Sequence, residues 1–368
     1  MGLETSKLFY FNDLTSVERK NYIYSLAKIF ARRVVIKEKG IIFPNLKDSD
    51  IRTNEGIPDN FILSGTGPVS GVIPISWIPD AKYKIMIGKT WPPSFNDQKV
   101  WLKIIYDEVF EKDQKDIIGQ TIRDLNNNQF IDPKNVALSC LVIPEPENLV
   151  IGFHFFIMRD LNGWKKIQSH YYTGFSGSNS HSRDIDKTNR SDREVINFKD
   201  LSSREKGEVG ESLGNIFARR MIIDNKQSFF SDLDESFIKI EDEKIRNTSD
   251  EYYKIITKLR GDTRFGTWDP DIRYHILANS NPFDLMFEIY PKKIVWIEVK
   301  TGKNARFERS QETDMECISQ NSDLLVIYCN VLPDSSNFKL NLCFNQVQNR
   351  GKWKELMQYS YTDFLSIT

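Results

Sequence analysis

Two acidic residues and a lysine in the C-terminal half of the chain have the types and spacing that metal-dependent hydrolysis needs. Glu298 and Lys300 lie two apart in the apolar run 294–301, and Asp284 lies in the preceding run 283–290. Neighbouring carboxylates repel each other, and their hard oxygens suit Mg²⁺. The ion removes that repulsion, binds a phosphate oxygen and acidifies a water. The lysine can position that water and stabilise charge in the transition state.

These side chains converge if the two runs form a β-hairpin. Side chains alternate between the two faces of a strand, so Glu298 and Lys300 are expected on one face and Val299 on the other. A turn near 291–293 returns the chain and brings Asp284 close to the end of the second strand. The carbonyl of Val299 is a further oxygen ligand, so the predicted metal ligands are Asp284, Glu298 and Val299.

Alternatives exist for both halves of this site. Asp269 and Asp271, in the sequence Trp-Asp-Pro-Asp, are rival first acids. The proline between them, and the lack of a following apolar strand, favour a turn there. For Glu298 and Lys300, the alternative is an ion pair on a solvated sheet face, worth well under ~1 kcal/mol.

A helix predicted over 203–223 supplies another acid. The segment Gly207–Gly214 reads Gly-Glu-Val-Gly-Glu-Ser-Leu-Gly. On a helical wheel its small and apolar residues form one face that can lie close against a sheet. Glu211 lies at the flank of that face, from which it can reach over the strand ends, and Glu208, one turn earlier, is the weaker candidate.

The order of these residues resembles the Asp…Glu-x-Lys signature of the PD-(D/E)XK, or restriction-endonuclease-like, nucleases. In that family a helix before the first catalytic strand often carries a glutamate in a Gly-x-x-Gly-Glu pattern, and Glu211 is similar to this accessory acid. The resemblance covers about 200–330, roughly a third of the chain.

The segment after Lys300 resembles the Mrr-like branch of the family. There, a Thr-rich loop precedes a helix that opens with an aromatic residue, a serine and an acid or amide. The residues that match this pattern loosely are Phe307, Ser310, Gln311 and Glu312, and Gln311 is expected to orient substrate or water. Three cations suited to gripping DNA phosphates follow the lysine, namely Lys303, Arg306 and Arg309.

The resemblance implies a metal-dependent endonuclease that hydrolyses the phosphodiester bonds of DNA. Mg²⁺ is the expected cofactor, with Mn²⁺ as a substitute, and duplex DNA is the expected substrate. Cutting both strands needs two sites, so a homodimer is expected. Restriction or anti-phage defence is the setting that the family suggests. The expected catalytic residues are Glu211, Asp284, Glu298, Lys300 and Gln311.

Three other functions are compatible with the sequence. One is a ligand-activated defence effector nuclease, and another is a structure-specific repair or recombination nuclease. The third is a catalytically silent nucleic-acid-binding protein, against which the presence of Asp284, Glu298 and Lys300 argues. Residues 1–170 contain no motif that distinguishes base reading from the sensing of a small ligand.

Length, charge and apolar content limit the class of protein. The chain has 368 residues, enough for two domains, and 50 Lys+Arg against 51 Asp+Glu give a net charge of −1. That balance argues against a non-specific coat on nucleic acid. No apolar run approaches the ~20 residues of a membrane span, and the N-terminus lacks a secretory signal. A cytoplasmic protein with reduced cysteines and no membrane contact is expected.

The expected fold class is α/β. A C-terminal restriction-endonuclease-like mixed sheet flanked by helices is predicted over 200–368, and an N-terminal α+β recognition or sensor domain over 1–170. The segment 171–199 is rich in Ser, Asn, Gly, Asp and Arg, which predicts a linker or loop. Predicted helices cover 16–35, 100–110, 203–223 and 307–320; predicted strands cover 73–77, 82–88, 136–143, 149–158, 283–290, 294–301, 323–329 and 338–344.

One repeat stands out in the chain. Residues 25–36 and 212–223 share eight of twelve identities at an offset of 187. Duplication of a domain is one interpretation, and two amphipathic helices built from common residue types is the simpler one. Moving back by 187 from Glu298 leads to Glu111, Lys112 and Asp113, so the repeat predicts no second active site.

Overall fold

The computed structural model of the protein divides into two compact units. Unit 1 comprises Met1–Glu18 and Ser202–Thr368, and unit 2 comprises Arg19–Leu201. The residues that the structure describes are 7–44, 51–53, 81–87, 98–106, 135–145, 149–158, 165–174, 193–231, 238–242, 270–278, 293–320, 324–334, 336–337, 339–348 and 352–363.

The first half of the chain contains two helices and seven strands among its described residues. The helices are α1 (Ser16–Lys37) and α2 (Lys39–Ile42), and a 3₁₀ turn at Phe11–Asp13 precedes them. The strands are β1 (Lys7–Tyr10), β2 (Ile51–Thr53), β3 (Ala81–Ile87), β4 (Gln98–Ile105), β5 (Asn135–Glu145), β6 (Val150–Met158) and β7 (Lys165–Tyr172).

The second half begins with a strand, a 3₁₀ turn and two helices. These are β8 (Arg193–Ile196), the turn Phe198–Asp200, α3 (Ser203–Asp224) and α4 (Lys226–Phe229). The remaining described elements are β9 (Ile238–Asp242), β10 (Ile272–Ala278), β11 (Lys293–Thr301), α5 (Arg309–Ile318), β12 (Leu324–Asp334), β13 (Lys339–Gln348) and β14 (Lys352–Thr362).

The described strands form two mixed sheets of seven, each flanked by helices. In unit 1 the order is β1-β14-β13-β12-β11-β10-β9, and in unit 2 it is β2-β3-β4-β5-β6-β7-β8. In unit 1, α3 packs against β11, β12 and β13, and α5 packs against β12 and β13. In unit 2, Phe30 of α1 packs against Phe153 of β6 and Tyr172 of β7. The α/β class is therefore confirmed at this level.

Two predicted element assignments differ from the structure. The segment 100–110 is predicted to be a helix, but residues up to Ile105 form β4, which pairs with β3 and β5 on its two edges. The segment 100–105 is apolar at every position except Lys103, and periodicity alone does not separate so nearly continuous an apolar run from a helix. Residues 171–172 and 193–199, predicted to belong to the linker, form the end of β7, the strand β8 and the start of the following 3₁₀ turn.

The two sheets have the same series of pairings. From β2 in unit 2 and from β9 in unit 1, neighbouring strands pair antiparallel, antiparallel, parallel, antiparallel and antiparallel. Each sheet then ends on a parallel strand from the other half of the chain. This strand is β1 on β14 in unit 1 and β8 on β7 in unit 2. The repeat at 25–36 and 212–223 is thus part of a duplication of the whole fold.

Matching arginine contacts hold the segments that follow β1 in unit 1 and β8 in unit 2. In unit 2, Arg33 donates to the carbonyl oxygen of Asp200 at 3.0 Å. In unit 1, Arg220 donates to the carbonyl oxygen of Asp13 at 2.8 Å and to Glu18 at 2.7 Å. Both the arginines and the aspartates are 187 positions apart, so the duplication extends to individual contacts. Among the described helices, none is long and apolar enough to cross a membrane.

Candidate active site

The predicted alternation along β11 is confirmed. Trp296 lies on the face that α5 covers, where it packs with Met315 and Val326. Glu298 and Lys300 follow on that same face. Glu298 is only 2% exposed, so the alternative of an ion pair on a solvated sheet face does not apply. A carboxylate this buried needs polar partners.

Glu298 has two such partners at one of its oxygens. The Lys300 ammonium lies 2.7 Å from Glu298 Oε1, and Gln311 Nε2 donates to the same oxygen at 3.3 Å. The Gln311 side-chain oxygen accepts a hydrogen bond from the Glu308 N–H at 3.1 Å, where α5 begins. Gln311 therefore fixes Glu298 relative to the helix, which makes it a positioning residue. Its predicted contact with substrate or water stays a prediction.

Asp271 is the carboxylate that the structure places beside Glu298. In the antiparallel pairing of β10 with β11, Ile272 is opposite Ile297, so Asp271 comes at the position next to Glu298. Its Oδ2 accepts a hydrogen bond from the Val299 N–H at 2.7 Å. The Val299 N–H thus holds Asp271 at the strand end, while the role of the Val299 carbonyl as a metal ligand stays a prediction.

The predicted first acid, Asp284, lies outside the described residues, as do Asp269 and the predicted strand 283–290. Over Ile294–Ile297, β11 has β10 on one edge and β12 on the other, so the pairing expected for 283–290 is made by β10 there. The sequence-based expectation of no apolar strand after Asp271 is wrong, because β10 begins at Ile272. Buried residues recur there at every second position, at Ile272, Tyr274 and Ile276.

Two glycines let α3 approach β11. A Cβ on Gly210 would overlap Thr301 Oγ1 and lie 3.1 Å from Thr301 Cβ, and a Cβ on Gly214 would lie 3.1 Å from Val299 Cγ2. The small face predicted for this helix is thus pressed against the strand that carries the site. The close approach brings Glu211 near the carboxylates of the strand ends.

The carboxylates of the site repel one another. Desolvation, the nearby Asp271 carboxylate and then Glu208 and Glu298 raise the pKa of Glu211 from 4.5 to about 7. Desolvation and the Glu298 carboxylate raise the pKa of Asp271 from 3.8 to about 6, against the lowering effects of the Val299 N–H and Lys300. Glu211 and Asp271 are exposed as residues, yet their carboxyl groups lie close enough to the neighbouring carboxylates to be repelled by them. Shifts of this kind mark functional sites.

Replacing Glu211 by glutamine should stabilise the metal-free protein at pH 8 and not at pH 4. A raised carboxyl pKa stabilises the folded state below pH 4.5, and this contribution is lost as the pH rises through about 7. Because Glu211 is exposed, we expect on the order of 0.5–1 kcal/mol, or about 1–3 °C in Tm. Thermal unfolding in EDTA at both pH values measures it.

Glu208→Gln is the matched control for that experiment. Glu208 lies on the same helix and pairs with Arg204 at 3.1 Å, so its neutralisation removes this attraction together with its weaker repulsion of Glu211, and a smaller net gain is expected. An equal gain in both variants, or no gain in Glu211→Gln at pH 8, contradicts the repulsive cluster.

The donor set fits Mg²⁺ better than a transition metal. Within the described ranges, no three His, Cys, Asp or Glu side chains lie close enough together to ligate one ion. Mg²⁺ is commonly bound by one or two carboxylates with water completing its shell. Asp271 and Glu298 supply that number, and the pKa of Asp271 is raised by desolvation and then by the Glu298 carboxylate, whose repulsion a cation would relieve.

The predicted DNA-binding cations surround the start of α5. Lys303, Arg306 and Arg309 are exposed, and their contact with DNA stays a prediction. Sequence reasoning missed an aromatic cluster beside them. Phe307 lies 5.8 Å from the Lys300 ammonium and stacks on Trp353 at 5.6 Å. Trp353 comes from β14, far from Phe307 in the chain, and the sequence carries no signal of their contact.

Comparison with protein-family models and with curated proteins finds no match. The interpretation of this site therefore depends on its own chemistry. Its features are a buried glutamate paired with a lysine, an aspartate held beside them, and a glutamate on a close-packed helix, that is, Glu298, Lys300, Asp271 and Glu211.

Proposed function

We propose that unit 1 is a metal-dependent endonuclease that hydrolyses phosphodiester bonds of DNA. The observation that carries this proposal is the hydrogen bond from the Val299 N–H to Asp271, which holds a second carboxylate beside the Glu298–Lys300 pair. Two acids and one lysine at a strand end are a set suited to binding a divalent cation and an attacking water.

The finer fold that we propose for unit 1 is restriction-endonuclease-like. Three features support it, in the order of the family signature. Glu211 follows Gly210 directly on α3. Pro270-Asp271 directly precedes β10, and Glu298-Val299-Lys300 lies at the end of β11. We assign the role of first acid to Asp271, whereas the sequence-based prediction assigned it to Asp284.

Asp271 and Glu298 are the residues that would hold Mg²⁺, with Glu211 close enough to add negative charge. When bound, the ion supplies a Lewis acid for the phosphate and lowers the pKa of a water. The protein prepares this site by keeping Asp271 on the Val299 N–H and Glu298 on Gln311. These contacts limit the rearrangement needed on binding.

Lys300 is the residue that handles the nucleophile. Its ammonium lies on Glu298, from which it can orient a water and stabilise negative charge on the phosphate. In the overall reaction the water oxygen bonds to phosphorus, the bond from phosphorus to the sugar oxygen breaks, and a proton reaches that leaving oxygen. Duplex DNA, a homodimer and a setting in restriction or anti-phage defence remain proposals from the family resemblance.

Metal removal tests this function directly. Purified full-length protein is incubated with supercoiled plasmid, linear duplex, single-stranded DNA and RNA, each with Mg²⁺, Mn²⁺ or EDTA. We expect relaxed and then linear plasmid with either ion and no product in EDTA, because without the cation the three acids repel the phosphate. Glu298→Gln should also give no product.

The matched control is Glu355→Gln, which makes the same change at an exposed residue of β14. It should cleave as the unmodified protein does. Cleavage that survives EDTA or Glu298→Gln contradicts the proposal. The absence of product with every substrate in Mg²⁺ favours the silent nucleic-acid-binding protein instead.

A further inference from the structure

The strands of the two units can be matched residue by residue. In the parallel pair of unit 2, Leu102 is opposite Leu138, and in that of unit 1, Ile297 is opposite Ile327. The sequences agree with this match. Val-Trp precedes Leu102 as it precedes Ile297, and Cys140 and Cys329 follow two residues after Leu138 and Ile327.

The match continues along both sheets. Pro144 is opposite Ile151, as Pro333 is opposite Leu340, and both prolines come four residues after the matched cysteines. Before β3 and before β10 the chain reads Trp-x-Pro-Asp, at 77–80 and at 268–271. Ala81 is opposite Leu102 and Ile272 is opposite Ile297, so these tetrapeptides are equivalent by register as well.

The match identifies what unit 2 has at each position of the candidate site. Lys103 stands where unit 1 has Glu298, and Ile105 where it has Lys300. The offset of 187 between the long helices places Tyr24 where Glu211 lies. Only the aspartate is kept, as Asp80, which lies outside the described residues. Unit 1 thus has three acids and one lysine, whereas unit 2 has one acid and one lysine.

Among the described residues, the α1 side chains near this position in unit 2 are aromatic and cationic. The Tyr24 hydroxyl donates to the carbonyl oxygen of Ile104, the residue after Lys103, at 3.5 Å. The exposed Lys20 places its ammonium 5.5 Å from the centre of the Tyr24 ring. Its counterpart in unit 1 is Gly207. Glu298 and Gly207 of unit 1 are therefore replaced in unit 2 by Lys103 and Lys20, whose ammonium groups attract an anion.

We propose that unit 2 is a hydrolytically inactive copy of the nuclease fold that binds the nucleic-acid backbone directly on Lys103 and Lys20, without a metal. This inference rests on the proposed function, because the ligand proposed for unit 2 is the nucleic acid that unit 1 is proposed to cleave. Unit 1 is proposed to bind the DNA phosphate through a metal cation. In unit 2 the lysine ammonium carries the positive charge itself and binds the phosphate without a metal. Each chain then has one hydrolytic centre and cuts one strand, so cutting both strands requires two chains.

Nucleic-acid binding in EDTA tests this inference without any hydrolysis. A fluorescent DNA duplex is titrated with full-length protein at several salt concentrations, and anisotropy gives the affinity. Lys103→Met keeps the aliphatic stem and loses the charge. We expect affinity to fall about five- to tenfold and the slope of log affinity against log salt to fall by about 0.9. Lys20→Met should act in the same direction.

Two further variants separate charge from folding. Lys103→Arg keeps the positive charge and should retain binding within about twofold. Lys165→Met makes the same charge change at an exposed residue at the start of β7 and should leave binding unchanged. Thermal unfolding of each variant verifies that it is folded.

The outcomes distinguish this inference from the proposed function. If Lys103→Met binds as well as Lys165→Met, or if the duplex does not bind in EDTA, the inference is overturned whatever unit 1 cleaves. If binding depends on Lys103 but no substrate is cleaved in Mg²⁺, the proposed hydrolysis fails and the binding role of unit 2 remains.

Discussion

Asp271→Asn should lower Mg²⁺-dependent cleavage by on the order of 10³-fold, whereas Asp284→Asn should leave the rate within a few-fold. A charged metal ligand contributes several kcal/mol to the transition state, and about 4 kcal/mol corresponds to that factor. Asparagine has nearly the shape of aspartate, and its side-chain oxygen can still accept a hydrogen bond from the Val299 N–H. In the unmodified protein this N–H donates to Asp271 at 2.7 Å. The substitution therefore removes the charge and keeps the contact.

Initial rates of plasmid relaxation at saturating Mg²⁺ measure this effect, together with Mn²⁺ binding by calorimetry. The matched control is Asp80→Asn, which makes the same change in the other Trp-x-Pro-Asp sequence. We expect full activity from it, since its unit has Lys103 in place of the second acid. Tm should not fall in Asp271→Asn, because the substitution relieves repulsion with Glu298.

Opposite behaviour of the two aspartates would restore the first interpretation of the sequence. If Asp284→Asn abolishes cleavage and Asp271→Asn does not, the metal is bound by Asp284 and the hydrogen bond at Val299 is structural. Loss of activity in both variants would mean that three carboxylates take part, with Glu298 common to both arrangements.

Local patterns were sufficient for much of the C-terminal site. The alternation along 294–301 places Glu298 and Lys300 on one face, and the Gly-rich pattern of 207–214 predicts a helix that packs closely on a sheet. Both predictions are confirmed, because each depends on a periodicity of two or 3.6 residues within a single element. What these patterns do not give is the depth of Glu298, which depends on how α5 packs over its strand.

The first acid could not be found by sequence proximity. The prediction of Asp284 assumed that the apolar run nearest to β11 in the chain is its neighbour in the sheet. The neighbour is instead β10, in which polar residues such as Arg273 alternate with buried ones, so it did not read as an apolar strand. The period of two in Ile272, Tyr274 and Ile276 was the signal available.

The sequence repeat suggested duplication as one interpretation, but the extent of the duplication was hidden because its offset is not constant. It is 187 for the long helices, whereas the matched pairs Ala81 and Ile272, and Leu102 and Ile297, are 191 and 195 apart. Insertions between elements change the offset without changing the sheet. A shift of 187 from Glu298 therefore led to Glu111 rather than to Lys103. Sheet register corrects the alignment because it compares positions in the fold rather than in the chain.

Gly210→Ala should destabilise unit 1 by about 1–3 kcal/mol, although alanine is the better helix former by about 1 kcal/mol. The added Cβ overlaps Thr301 Oγ1 and lies 3.1 Å from Thr301 Cβ, so α3 must move away from β11. Because Glu211 is the next residue, cleavage should fall as well. Denaturant unfolding gives the loss of stability, and plasmid relaxation gives the loss of activity.

Gly207→Ala, in the same helix, is the matched control, because a Cβ added there meets nothing within 4 Å outside the adjoining helix backbone. We expect it to stabilise the protein by about 0.5–1 kcal/mol. Gly214→Ala, with Val299 Cγ2 at 3.1 Å, should fall between the two. Adding Thr301→Ala to Gly210→Ala should recover on the order of 1–2 kcal/mol, because it removes the overlapping atom. Equal stability of Gly207→Ala and Gly210→Ala would mean that the helix does not press on the strand, and the approach of Glu211 to the carboxylates would lose its basis.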